Sequence, residues 1–90
     1  MGHRIELGEI ETAALKLSGV SRALCVYDAD GKRIVLFYTG EPAQSEVSAA
    51  LCAALPRYML PSVIERLDAM PLTDNGKIDR RTLKERAAKI

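Results

Sequence analysis

Ninety residues make one small domain, and a formal net charge of +1 with 28% charged residues excludes a strongly polyanionic or polycationic protein. With 48% of residues hydrophobic the chain is globular rather than disordered, and a single Phe and no Trp make its core aliphatic. A chain of this size buries about 60–65% of its unfolded surface, enough for a core without a metal or disulfide staple.

The elements read in order. Ile5 and Leu7 alternate with Arg4 and Glu6 as a short extended lead-in. From Gly8, Ile10, Ala13, Ala14 and Leu17 recur at spacings of three and four, which predicts a helix. Glu9 and Glu11 fall in its first turn, where negative charge suits the helix dipole, and Gly19 is its expected αL cap. Val20 to Tyr27 reads as a strand, with Ala23, Cys25 and Tyr27 on one face and Leu24 and Val26 on the other. A turn over 28–32 joins it to Ile34–Thr39, whose apolar residues on both faces predict a central strand covered by helices. Ser45 is the expected cap of a helix from about Glu46 to Leu55, with Val47, Ala50, Leu51 and Ala54 inward. Pro56 ends it, and a connector bounded by Pro56 and Pro61 is expected to bury Tyr58 and Met59. Ser62 to Asp68 suits an edge strand.

The stretch Pro71 to Arg81 is read as a lead-in, a tight turn at Asn75-Gly76, one lysine, and a helix from Arg80 to Ala88 capped by Asp79. It mounts the Lys77 cation on a short stiff loop between two regular elements. The order is α-β-β-α-β-α, and the predicted fold class is α+β: a small mixed sheet of about three strands with helices packed on it.

Charge is uneven. Residues 1–76 carry seven Lys/Arg against ten Asp/Glu, and residues 77–90 carry six against two. The basic end, with Arg80, Arg81, Lys84, Arg86 and Lys89, suits a phosphate-bearing or acidic partner, or is a solvated helix face. Cys25 and Cys52 have no metal-ligand spacing and read as small buried hydrophobes in a reducing compartment. No signal-peptide pattern or membrane-length apolar run is present, so the expected setting is cytoplasmic, with no membrane partner.

Three stretches carry a resemblance. Gly2 to Glu11 resembles the segment that begins the C-terminal domain of acyl- and aminoacyl-adenylating enzymes. Leu55-Pro56-Arg57-Tyr58-Met59-Leu60-Pro61 is similar to that family's LPxYM(I/L)P segment. Asn75-Gly76-Lys77-Ile78-Asp79-Arg80 is similar to its catalytic-lysine segment. The match is nearest to the amino-acid-activating branch, which includes nonribosomal peptide synthetase adenylation domains and D-alanine–carrier protein ligases.

The resemblance implies a mobile C-terminal domain that works in two reactions. A carboxylate is first activated by ATP with Mg to an acyl-adenylate, and a carrier-protein pantetheine thiol then forms a thioester. It implies that Lys77 is the catalytic cation, with Asn75 and Gly76 shaping its loop. Gly2, His3 and Arg4 would face the active site during thioester formation, with a structural role expected for His3. The expected partners are the chain's own large N-terminal domain, a phosphopantetheinyl carrier protein and an amino acid. The nucleotide would be bound mainly by that large domain, which this stretch does not include, so residues 1–90 are read as an excised domain, inactive alone. The alternative is a small nucleic-acid or protein-binding module using the basic last helix. The strand aromatics are accounted for by the core and offer no stacking platform, so no nucleic-acid partner is expected.

Overall fold

The computed structural model describes residues 6–29 and 31–89. Its elements are α1 (Leu7–Leu15), β1 (Val20–Asp28), β2 (Arg33–Gly40), α2 (Gln44–Ala54), a single 3-10 turn (Arg57–Met59), β3 (Val63–Leu67) and α3 (Arg80–Ala88). The predicted α-β-β-α-β-α order and mixed sheet are therefore observed. Spatial order is β1-β2-β3, with β1 antiparallel and β3 parallel to β2.

The two-sided apolar pattern of β2 has its expected consequence. Ile34, Leu36 and Tyr38 face one core with Ile10 and Ala14 of α1 and Val47 and Leu51 of α2. Val35 and Phe37 face a second core with Leu24, Val26, Met70 and, from α3, Leu83 and Ala87. The sheet is thus the middle layer of three, with α1 and α2 on one side and α3 on the other. Tyr38 is fully buried, and its hydroxyl donates to the Pro42 carbonyl at 2.6 Å, so its polar end is satisfied.

One backbone group on each edge strand of the sheet is met by a helix side chain. On β1 the Cys25 N–H donates to Glu11 Oε2 at 2.8 Å. On β3 the Ile64 carbonyl accepts from Gln44 Nε2 at 2.7 Å. These two edge groups are thereby satisfied. Glu11, read from sequence as a dipole partner, lies past the first turn and serves this edge instead.

Several local expectations are corrected. α1 ends at Leu15, and Gly19 (φ +97°) lies in the following turn, where the Val20 N–H donates to the Leu17 carbonyl. Its positive φ suits the third position of that turn rather than a helix cap. Ser45 does not cap α2. The helix begins one residue earlier, at Gln44, and the Glu46 carboxylate reaches back to accept from the Ala43 N–H. Ala54 is exposed at the end of α2, Tyr58 is exposed on the 3-10 turn and Tyr27 near the end of β1, whereas Met59 is buried as expected.

Cys52 points outward from α2, against the expectation of burial, while Cys25 is buried in the first core. Burial, reinforced by the Glu11 carboxylate, pushes the Cys25 thiol up to about 12. A thiol reagent at neutral pH should therefore label one cysteine of the native chain quickly and the second only on unfolding, as read by intact mass with and without denaturant. Two labels in the native state would contradict this packing.

Candidate functional site

Lys77 sits in a small hairpin closed by the antiparallel bridge Leu72–Ile78. The Gly76 N–H donates to the Thr73 carbonyl at 2.9 Å, and the Thr73 N–H donates to the Lys77 carbonyl at 2.7 Å. The Thr73 hydroxyl also accepts from the Lys77 N–H at 3.3 Å. This is a tight turn followed by one residue in the left-handed region, and Gly76 (φ +84°) fills that place. Asn75, the other residue of the turn signal, tolerates the left-handed region by type. It does not enter that region here, because this turn requires positive φ only after its corner residues.

The hairpin is anchored at both stems. Met70 is buried in the second core and Ile78 packs against it. Strand alternation places Lys77 opposite to Ile78, so a side chain fixed inward implies a neighbour projected outward. Lys77 is exposed, and its ammonium makes no ion pair or hydrogen bond with a described residue.

The next element locks the geometry. The Asp79 N–H donates to the Pro71 carbonyl at 2.8 Å, closing the base of the hairpin. The Asp79 side chain caps α3, accepting from the Thr82 N–H at 3.2 Å and the Thr82 hydroxyl at 2.9 Å. Those hydrogen bonds hold its carboxyl below the usual range for aspartate. A carboxyl depressed in the folded state stabilises above its unfolded pKa and loses that contribution as pH falls through the folded value. Acidification below about pH 4 should therefore lower the protection of the Thr82 and Leu83 amides, relative to their intrinsic exchange, before the central strand opens, and Asp79→Asn should flatten that pH dependence. Protection independent of pH in the unsubstituted chain would contradict the cap.

Around Lys77 lies an open hollow of about 750 Å³, walled by the hairpin, by Arg80, by Arg22, Ala23 and Leu24 of β1, and by Glu11. Sequence reasoning passed over Arg22 and the placement of Glu11. Neither belongs to a motif, and both enter the hollow only because β1 runs beside the hairpin. The cations of α3 prove unequal. Arg86 pairs with Glu65 of β3, and Arg81 approaches Glu85 at 4.0 Å, which leaves less free charge on this helix than the sequence suggests. Gly2, His3 and Arg4, the residues expected on the thioester-forming face, lie outside the described residues.

A three-layer domain that holds one exposed lysine on a braced hairpin can deliver a positive charge to an anionic group on another surface. The chain belongs to the family of AMP-binding enzyme C-terminal domains, whose model matches residues 9–77 and so ends on the lysine. It is 47% identical over 87 residues to gramicidin S synthase 2 of Brevibacillus brevis, covering 91% of this chain and 2% of that protein. It is 44% identical over 91 residues to tyrocidine synthase 1 of Brevibacillus parabrevis, covering 93% of this chain and 8% of that protein. Among solved structures it is similar to holo-AB3403, a four-domain nonribosomal peptide synthetase bound to AMP and glycine. That match has a TM-score of 0.77 and 39% identity and covers 89% of this chain and 6% of that one. Apo MatB from Rhodopseudomonas palustris has the same fold at a TM-score of 0.84 and 21% identity, with 98% of this chain and 19% of that one covered. No helix among the described residues is long and apolar enough to cross a membrane.

Proposed function

We propose that this chain is the catalytic-lysine domain of an ATP-dependent amino-acid-adenylating ligase and works against a large nucleotide-binding N-terminal domain. The observation that carries the reading is the Lys77 hairpin: an exposed ammonium without a partner among the described residues, on a loop braced from both stems. Its place at the end of the family match supports the same reading.

In the reaction proposed, a carboxylate oxygen attacks the α-phosphorus of ATP. The new O–P bond forms as the bond to the β-phosphate oxygen breaks, and pyrophosphate leaves. Two anions must approach each other, and negative charge is shared between the carboxylate and the phosphate oxygens. A compact ammonium on a long stem stabilises that charge where it develops, which is usually a large catalytic term. The cationic side of the hollow, with Lys77, Arg22 and Arg80, fits phosphate oxygens. Magnesium bound with the nucleotide would neutralise phosphate charge, and the described residues include no group of three His, Cys, Asp or Glu that could hold it.

A second reaction is proposed to follow domain rotation. The pantetheine thiol of a carrier protein attacks the acyl carbon, the carbon–oxygen bond to AMP breaks, and a thioester forms. Gly2, His3 and Arg4 are assigned to this face on sequence resemblance. An amino acid, D-alanine among the candidates, is the proposed substrate, because a solved relative at 39% identity is a nonribosomal peptide synthetase bound to AMP and glycine. Selection among amino acids is left to the large domain.

The test is complementation. The 90-residue chain is added to the large domain of its own gene product, and amino-acid-dependent ATP–pyrophosphate exchange is followed across a panel that includes D-alanine. Exchange with one or a few amino acids is expected. A demonstrated complex of the two domains that exchanges only with fatty or aryl acids would overturn the amino-acid reading.

A further inference from the structure

Most of the arginines around this sheet have partners. Arg33 Nε lies 3.2 Å from Asp28 Oδ2, Arg66 Nε donates to the Gly40 carbonyl at 2.8 Å, and Arg86 holds Glu65. Arg22 and Arg80 are different. Both are exposed, neither makes an ion pair or hydrogen bond with a described residue, and both line the hollow that holds Lys77. The one carboxylate on that wall, Glu11, already has an oxygen engaged by the Cys25 N–H. Asp79, next to Arg80 in sequence, is committed to Thr82.

The placement of Arg22 depends on an irregularity in the sheet. Val20 pairs with Gly40 but Arg22 pairs with Thr39, so Ser21 is the extra residue of a β-bulge. A bulge bends its strand and re-aims the side chains beside it. The partner strand is shaped to match. Gly40 has φ +142°, and a Cβ there would lie 2.2 Å from the Gly19 carbonyl oxygen. Arg22 consequently walls two hollows, the one beside Lys77 and a neighbouring one of about 490 Å³ lined by Thr39, Arg66 and Leu72. Three like charges around one concavity repel one another, and an anion placed between them removes that repulsion.

We propose that Arg22 and Arg80 make the hollow beside the Lys77 hairpin a phosphate-recognition site, which grips a phosphate of an extended anionic ligand. The proposal rests on the adenylation reading for the ligand's identity and on the hollow alone for its charge. Two ligands carry this chemistry: the pyrophosphate end of the nucleotide and the phosphate of a pantetheine arm.

The test is an NMR titration of the 90-residue chain, 15N-labelled, at low salt, with inorganic pyrophosphate in one arm and 4′-phosphopantetheine in the other. Saturable shifts are expected at the amides of Ala23, Leu24, Gly76 and Ile78, which line the hollow. Arg22→Glu should weaken binding by about tenfold or more, the scale of a lost charge-assisted contact. Lys16→Glu makes the same change in net charge at an exposed position just past α1, away from this hollow, and should cost about twofold or less. Arg22→Gln keeps a polar side chain on the bulge and should also weaken binding, which separates lost charge from a damaged strand.

Tighter binding of pyrophosphate would assign the site to the nucleotide, and tighter binding of 4′-phosphopantetheine would assign it to the carrier arm; either supports the site. No saturable shifts with either ligand, or equal losses in Arg22→Glu and Lys16→Glu, would overturn it. The two readings fail separately. If neither ligand binds while Lys77→Ala still abolishes exchange, the phosphate site alone falls. If binding stands while Lys77→Ala leaves exchange intact, the site stands and the catalytic role of Lys77 falls.

Discussion

Replacing Lys77 by Ala in the reassembled enzyme is expected to lower amino-acid-dependent exchange by about 10²–10³-fold, the scale of losing one preorganised group that stabilises developing charge. Folding should be unaffected. The side chain is exposed and makes no ion pair or hydrogen bond with a described residue, while the hairpin's hydrogen bonds come from backbone groups and from Thr73. An unchanged thermal transition beside a large loss of exchange separates a chemical role from a structural one. Lys77→Arg should recover little, because a planar guanidinium on this stem presents its charge at a different reach and geometry. Exchange reduced less than about threefold by Lys77→Ala would mean a solvated lysine after a turn.

The second large effect is on stability. Phe37→Ala should cost about 3–5 kcal/mol, the usual scale for emptying an aromatic site in a core. Phe37 is fully buried on the central strand, where it meets the core formed with Leu83 and Ala87 of α3 and Met70 before the hairpin. The net stability of a domain is about 5–15 kcal/mol, so this one change removes a large share of it. Denaturant melts should show the midpoint falling at near-constant slope. The same substitution loosens the seat of the Lys77 hairpin, since Met70 and Ile78 pack against that core. Leu15→Ala, 47% exposed at the end of α1, should cost less than about 1 kcal/mol and serves as the control. A loss at Phe37 no larger than at Leu15 would contradict the packing of α3 on the sheet.

Legibility in the sequence followed the range of the interactions. β2 was readable because its apolar run admits few alternatives, and its central place followed from having no polar face. α3 was readable because Asp79 caps it through a group only three residues away. The Lys77 turn was readable for the same reason, although only Gly76 takes the left-handed conformation.

Other features depended on chain segments far apart in sequence. Glu11 is a helix residue whose partner, the Cys25 N–H, lies 14 positions away on an open edge. Cys52 looked like a core residue by composition, but the phase of α2 turns Val47 and Leu51 inward and Cys52 out. Ser45 is a good cap by type, yet Glu46 reaching back to Ala43 starts the helix before it. Arg22 carried no motif at all. The bulge and the strand's proximity to the hairpin bring it beside Lys77, and both are consequences of tertiary structure.

The most direct measurement of the central claim splits the two reactions in the reassembled enzyme carrying Lys77→Ala. Adenylate formation from ATP and the cognate amino acid is timed in one arm, and thioester formation on the carrier protein from preformed aminoacyl-adenylate in the other. A cation that serves only the first reaction predicts adenylation slowed by about 10²–10³-fold with thioester formation close to the wild-type rate. Both reactions slowed equally, or neither slowed, would contradict the assignment of Lys77.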